Sequence, residues 1–94
     1  MEFEYDNNKS RINKEKHGID FEESQALLLD ENALIVPANI VDDETRYALI
    51  SKLKDKCYAA IFTLRDKTYR IISVRRCRKN EEKNYEENNC WRTW

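Results

Sequence analysis

Three features of the sequence predict an α+β domain in which N-terminal helices and a C-terminal helix pack on an antiparallel β-sheet. Helix-capping residues cluster before residue 30, three strand-like runs separated by two-residue polar turns follow between 45 and 77, and the composition turns helical again from 79 to 89. With 94 residues there is room for one domain spanning 1–94. A fold of about this size buries roughly 60 to 70% of its extended-chain surface, so the core is small and a deep enzyme cavity is excluded.

The elements follow in order. Phe3 and Tyr5 alternate with Glu2 and Glu4, as in a short strand with one face inward. Asp6 is placed to cap a helix over 7–17. The lone glycine, Gly18, stands where that helix needs a left-handed C-terminal residue, and Lys14, Lys16 and His17 lie in the last turn, where the helix dipole favours cations. Asp20 opens a second helix, with Glu23 completing a capping box and Ile19 placed for the hydrophobic staple. Phe21, Ser24, Leu27 and Leu28 form its inward stripe. Ala33–Val36 reads as a short strand closed by Pro37. Thr45–Leu53, Lys56–Leu64 and Thr68–Cys77 then read as strands joined by tight turns at Lys54-Asp55 and Asp66-Lys67, hence antiparallel hairpins. Strict alternation in the last run puts Arg70, Ile72, Val74 and Arg76 on one face and Tyr69, Ile71, Ser73 and Arg75 on the other. Asn88-Asn89 is expected to end the final helix, leaving 90–94, with Trp91 and Trp94, as a tail that contributes to a partner surface or caps the sheet.

Charged residues make up 37% of the chain, yet the net charge is -1. That average conceals segregation: residues 1–31 carry nine acids against four bases, whereas 64–80 carry seven bases against one acid. Five of those seven bases are arginine, whose planar fork suits phosphate. An edge strand protected by cations is the alternative reading of such a block. The longest uncharged apolar run, Cys57–Leu64, is far shorter than the roughly 18 residues of a membrane span, and the acidic start does not read as a signal peptide. A soluble, cytoplasmic protein without membrane attachment is expected. Cys57, Cys77 and Cys90 form no Cys-x-x-Cys pair and read as a reduced set. With a single histidine far from them, neither a metal site nor a cofactor is expected.

Three ordered blocks narrow the choice. Phe3-Glu4-Tyr5-Asp6, Lys9, Asn13, Lys16-His17-Gly18-Ile19 and Phe21-Glu22-Glu23 form the first; Asp43-Glu44-Thr45-Arg46-Tyr47 is the second; Arg70-Ile71-Ile72-Ser73-Val74-Arg75-Arg76-Cys77, with Glu81 and Tyr85, is the third. Together they resemble the BrnT-type toxins of type II toxin-antitoxin systems, with Cys77 standing where that family usually has alanine. The resemblance implies a RelE/ParE-like fold and a ribonuclease that arrests translation. It also implies neutralisation by a BrnA-type antitoxin, which carries the DNA-binding element, so that DNA is met only indirectly.

Cleaving RNA without a metal requires the 2'-hydroxyl to lose a proton, the phosphorane charge to be neutralised and the 5'-oxygen to gain a proton. The candidates are Glu81 or His17 as base, Arg75 for the transition-state contact, and Tyr85 as hydrogen-bond donor or stacking surface. Arg46, Arg65, Arg70, Arg76 and Lys79 are candidates for holding the RNA backbone. Each has a plainer reading: Glu81 as a helix acid paired with arginine, Tyr85 as core, His17 as a helix-end residue, Arg46 as an edge cation. A non-catalytic toxin or corepressor acting by protein binding is the alternative function.

Overall fold

A computed structural model describes residues 2–90, so Trp91 and Trp94 of the expected tail lie outside the described residues. The chain runs β1 (Glu2–Glu4), α1 (Asn7–His17), a 3-10 helix (Glu23–Leu29), β2 (Leu34–Val41), β3 (Glu44–Leu53), β4 (Lys56–Arg65), β5 (Thr68–Arg76) and α2 (Lys79–Cys90). The architecture is α+β, but the sheet is mixed. Its order is β1-β5-β4-β3-β2, and β1 lies parallel to β5 while every other pairing is antiparallel. The wholly antiparallel expectation fails at β1 because no hairpin ties that strand to its neighbour. Its orientation is set by packing instead, with Phe3 beside Tyr69, ring centroids 5.7 Å apart, and Tyr69 in turn against Phe62.

The α1 boundaries are those the sequence predicts. Asp6 accepts hydrogen bonds from the amides of Asn8 and Lys9, and Gly18, at φ 76°, donates to the Lys14 carbonyl. The capping box also forms: the Glu23 amide donates to Asp20 at 2.7 Å and the Asp20 amide to Glu23 at 3.0 Å. The helix beyond it is wound more tightly than expected, as a seven-residue 3-10 helix. The Leu27 carbonyl accepts from both the Asp30 amide and the Ser51 hydroxyl, which draws in the last turn. Phe21, Ser24 and Leu27 point inward and Leu29 outward.

Pro37 does not close β2. The strand continues to Val41, with a register shift between Pro37 and Ile40. It is an edge strand, and a proline there removes no hydrogen bond that a neighbour needs. All three hairpins turn on two residues with positive φ: Asp42-Asp43, Lys54-Asp55 and Asp66-Lys67. These are the left-handed positions of the primed turns that suit the strand twist. The final helix runs one residue past its expected stop, to Cys90.

Helices lie on both faces of the sheet. On one face Ile19, Phe21 and Leu27 pack over Leu49, Tyr58, Ala60, Phe62, Ile71 and Val74. On the other, Tyr85 of α2 sits on Ala48, Ile50, Cys57 and Ala59. α1 docks in another way, since its buried residues are polar, Ser10 and Asn13. β1 pairs only with Thr68–Arg70, and beyond it the Asn13 amide takes the place of a strand. Its Nδ2 donates to the Val74 carbonyl at 2.8 Å, and its Oδ1 accepts from the Val74 amide at 3.1 Å. Nδ2 also donates to the Ile19 carbonyl, and the Ser10 hydroxyl accepts from the Phe21 amide.

The cysteine expectation needs correction as well. Cys57 and Cys77 are joined as a disulfide, with Cα atoms 5.3 Å apart, a separation that suits such a bond. The Cys77 amide donates to the Cys57 carbonyl at 2.9 Å. That juxtaposition arises from the pairing of β4 with β5, which cysteine spacing does not reveal.

Tyr85 donates from its hydroxyl to Asp30 at 2.6 Å, and Asp30 also accepts from Ser51 and from the amides of Lys52 and Asn32. Burial works to raise the Asp30 carboxyl, but these donors outweigh it and hold the group below its ordinary value of 3.8. Burial and the Asp30 charge push Tyr85 up to about 12.

Two outcomes are expected. Asn13→Ala orphans three buried backbone groups and should cost about 3 kcal/mol of unfolding free energy in urea titrations; a loss below about 1 kcal/mol would deny Asn13 its docking role. Tyr85→Phe should cost about 2 kcal/mol at neutral pH. Because the folded pKa of Asp30 is depressed, that difference should be full above 3.8 and shrink as acid titrates the carboxylate below it. A cost independent of pH down to acid unfolding would contradict this.

Candidate active site

A break in the β5 alternation determines which side chains reach the site. Ile61 pairs with Ser73 but Phe62 with Ile71, so Ile72 is an extra residue, a β-bulge. Beyond it the faces exchange. Val74 joins Ile71 in the core beneath the helices, Arg76 follows it to that side, and Arg75 emerges on the opposite face. The strict alternation expected from sequence, which grouped Arg75 with Ile71 and Val74 with Arg70, is corrected by this one residue.

On that opposite face α2 covers one end of the sheet and leaves the other open. There a groove of about 540 Å³ is bounded by Val36–Asn39 of β2, Arg46 and Ala48 of β3, Ile61 of β4, Ile72, Ser73 and Arg75 of β5, and Arg78 and Glu81 at the start of α2. Among the described residues, three guanidinium groups therefore surround a cleft whose lining includes a single carboxylate.

Arg75 and Glu81 form a two-pronged ion pair at 2.7 and 2.9 Å, with both side chains mostly buried. Such a fork holds the guanidinium plane in one orientation. Glu81 Oε1 also accepts from the Arg78 amide at 2.7 Å. This is the reciprocal half of a capping box at the start of α2, and it fastens the acid to the helix. The Arg75 hydrogen bonds, with the Arg78 amide assisting against burial, hold the Glu81 carboxyl below its ordinary value; Arg75 is correspondingly raised. Glu81 is thus an anion with both oxygens engaged. Arg46 contrasts with Arg75: its Nε is buried and has no hydrogen-bond partner among the described residues.

Of the residues nominated from sequence, Arg75, Glu81 and Arg46 converge on this groove. The others go elsewhere. Arg65 pairs with Glu44 and Arg70 with Glu4. Arg76 donates to the Cys57 carbonyl and lies over the Tyr58 ring, on the face opposite the groove. Lys79 is exposed on α2 outside the groove lining, and Tyr85 is buried with its hydroxyl on Asp30. His17 lines a recess beside α1 that shares Ile72 and Ser73 with the groove but none of its arginines. Arg78 was not singled out from sequence. The Arg78-x-x-Glu81 spacing, which brings the side chain of Glu81 back to the Arg78 amide, was the available signal.

Among the described residues no group of three or more histidine, cysteine or acidic side chains is arranged to hold a metal ion. No described helix is long and apolar enough to cross a membrane.

No curated protein matches the chain closely enough to count as a relative. The sequence model for the ribonuclease toxin, BrnT, of type II toxin-antitoxin systems matches residues 5–81, a span that includes Asn13, Arg46, the Ile72 bulge, Arg75, Arg78 and Glu81. The chain belongs to the BrnT family of type II ribonuclease toxins, and an antitoxin partner comes with that membership.

Proposed function

We propose that the groove binds a phosphodiester of RNA and cleaves it endonucleolytically, without a metal ion, in a fold of the RelE/ParE type. The observation that carries this reading is the convergence of Arg46, Arg75 and Arg78 on one open cleft, with the Arg46 Nε buried and without a hydrogen-bond partner among the described residues. A buried donor without an acceptor is costly, and a phosphate oxygen is the acceptor such a set of guanidinium groups suits.

In this reading the ribose 2'-oxygen attacks the adjacent phosphorus. The O2'–P bond forms and the P–O5' bond breaks, leaving a 2',3'-cyclic phosphate and a 5'-hydroxyl. Negative charge accumulates on the phosphorane oxygens, and Arg75, already oriented by Glu81, neutralises it without having to reorganise. Arg46 and Arg78 hold the same phosphate or its neighbour. Glu81 is a positioning residue, because a carboxylate that accepts three hydrogen bonds and is held acidic makes a poor base. The 2'-proton goes to solvent hydroxide and the 5'-oxygen takes its proton from water. The donor set also favours metal independence: three guanidinium groups repel a divalent cation, and the one carboxylate is engaged.

The same groove is where the antitoxin, of the BrnA type, would act by laying an acidic or chain-terminal segment over the arginines. Translation arrest follows from loss of RNA, and contact with DNA runs through the antitoxin. Tyr85 serves this site from a distance by fastening α2, and with it Glu81, to Asp30.

Purified protein incubated with single-stranded RNA in EDTA should cleave it. Arg75→Ala should lower the rate about 100- to 1,000-fold, the range for removing one transition-state donor, with the thermal melt retained and growth arrest lost. Glu81→Gln should fall between Arg75→Ala and the wild type. The logarithm of the rate should rise with a slope near one across about pH 6 to 8; a plateau would instead assign the proton to a side chain, with His17 the first to test. Full activity in Arg75→Ala would remove it from the mechanism. Absence of cleavage in any condition would favour a toxin or corepressor that acts by protein binding.

A further inference from the structure

The groove continues past Arg75. Its floor residues Ile72 and Ser73 also line a second recess, of about 170 Å³, on the α1 side of β5. The two hollows therefore meet across the bulge. β1 ends opposite Arg70, so no strand lies over Ile72 and Ser73 at this edge, and α1 borders the recess beyond it. Lys9, Lys16 and His17 line it together with the polar side chains of Asn13 and Ser73, and among the described residues no acid is part of it.

Neither lysine is committed elsewhere. Among the described residues Lys9 and Lys16 enter no ion pair, whereas Lys14, between them in the helix, is bound to Glu23 at 2.6 Å. Asp6, which feels the Lys9 charge, is occupied by the Asn8 and Lys9 amides. The two cations lie seven residues apart, about two helical turns, and so share one side of α1. Ile72 and Ser73, with guanidinium groups on one side and ammonium groups on the other, form a positively charged path of the kind that follows a single-strand backbone.

On the reading of the groove as an RNA site, we infer that the bound strand crosses Ile72 and Ser73 and enters the α1 recess. There Lys9 and Lys16 hold a phosphate flanking the one at Arg75. This adds a second backbone subsite and makes affinity depend on substrate length.

The test uses 2'-O-methyl oligoribonucleotides, which lack the nucleophile and so report binding alone. Fluorescence anisotropy on the full chain compares a dinucleotide with an octanucleotide, for the wild type and for a Lys9→Gln/Lys16→Gln double variant whose melt is matched. The wild type should gain affinity with length, and the double variant should lose about tenfold of that gain. Its salt slope should be shallower by about 0.7, the value for one single-strand phosphate contact. Lys9→Arg/Lys16→Arg should retain the gain. An undiminished gain, or an equal loss at both lengths, overturns the subsite. A ribose octanucleotide cut by the wild type with the length gain unaltered overturns this inference alone; a wild type that neither binds nor cuts RNA overturns both readings.

Discussion

The structure depends on the side-chain amide of Asn13. A helix with few apolar residues must be held against a sheet, and the fifth strand must continue past the point where its parallel neighbour stops. Asn13 meets both needs by offering Val74 a donor and an acceptor in the places a strand would. Backbone groups buried without partners are rare because each costs free energy comparable to a lost hydrogen bond, so this side chain can replace a strand that would otherwise be required. It also anchors β5 two residues after the Ile72 bulge, and the phase of the strand beyond that bulge decides where Arg75 points.

From that anchor the site is built by opposition. Arg75 leaves the sheet on the face away from α1, and α2 begins near enough for Glu81 to clasp it. The carboxylate is spent on orienting the guanidinium, which is held in one plane. Arg46 differs in having a buried nitrogen that nothing among the described residues satisfies. The disulfide between Cys57 and Cys77 ties the segment just after Arg75 to β4. Two of the arginines outside the groove, Arg65 with Glu44 and Arg70 with Glu4, are in partly exposed pairs of the kind that contribute little to stability.

Much of the element plan was legible because it rests on local chemistry. Asp6 and Gly18 bracket α1, Asp20 and Glu23 exchange hydrogen bonds, and the turns at Lys54-Asp55 and Asp66-Lys67 close two of the hairpins. What escaped was produced by partners distant in sequence. The Ser51 hydroxyl, twenty-four residues from Leu27, helps tighten the second helix, an edge position tolerates Pro37, and aromatic packing sets β1 parallel. The site was legible in part for the same reason. Arg75 and Glu81 are near neighbours along the chain, while Tyr85 was taken into the core by Asp30, fifty-five residues away.

The sequence by itself determined that a basic, arginine-rich block would end the sheet, that a capped helix would precede it and another follow it, and that the family's motifs were present in order. These are properties of composition and short spacing. Only the tertiary structure decided which of those arginines line one groove. One extra residue at Ile72 inverts the strand's faces, so Arg75 joins Arg46 and Arg78 in the groove while Arg76 turns to Tyr58. A charge count cannot see that inversion, because it comes from how β5 registers against β4 and where Asn13 holds its edge.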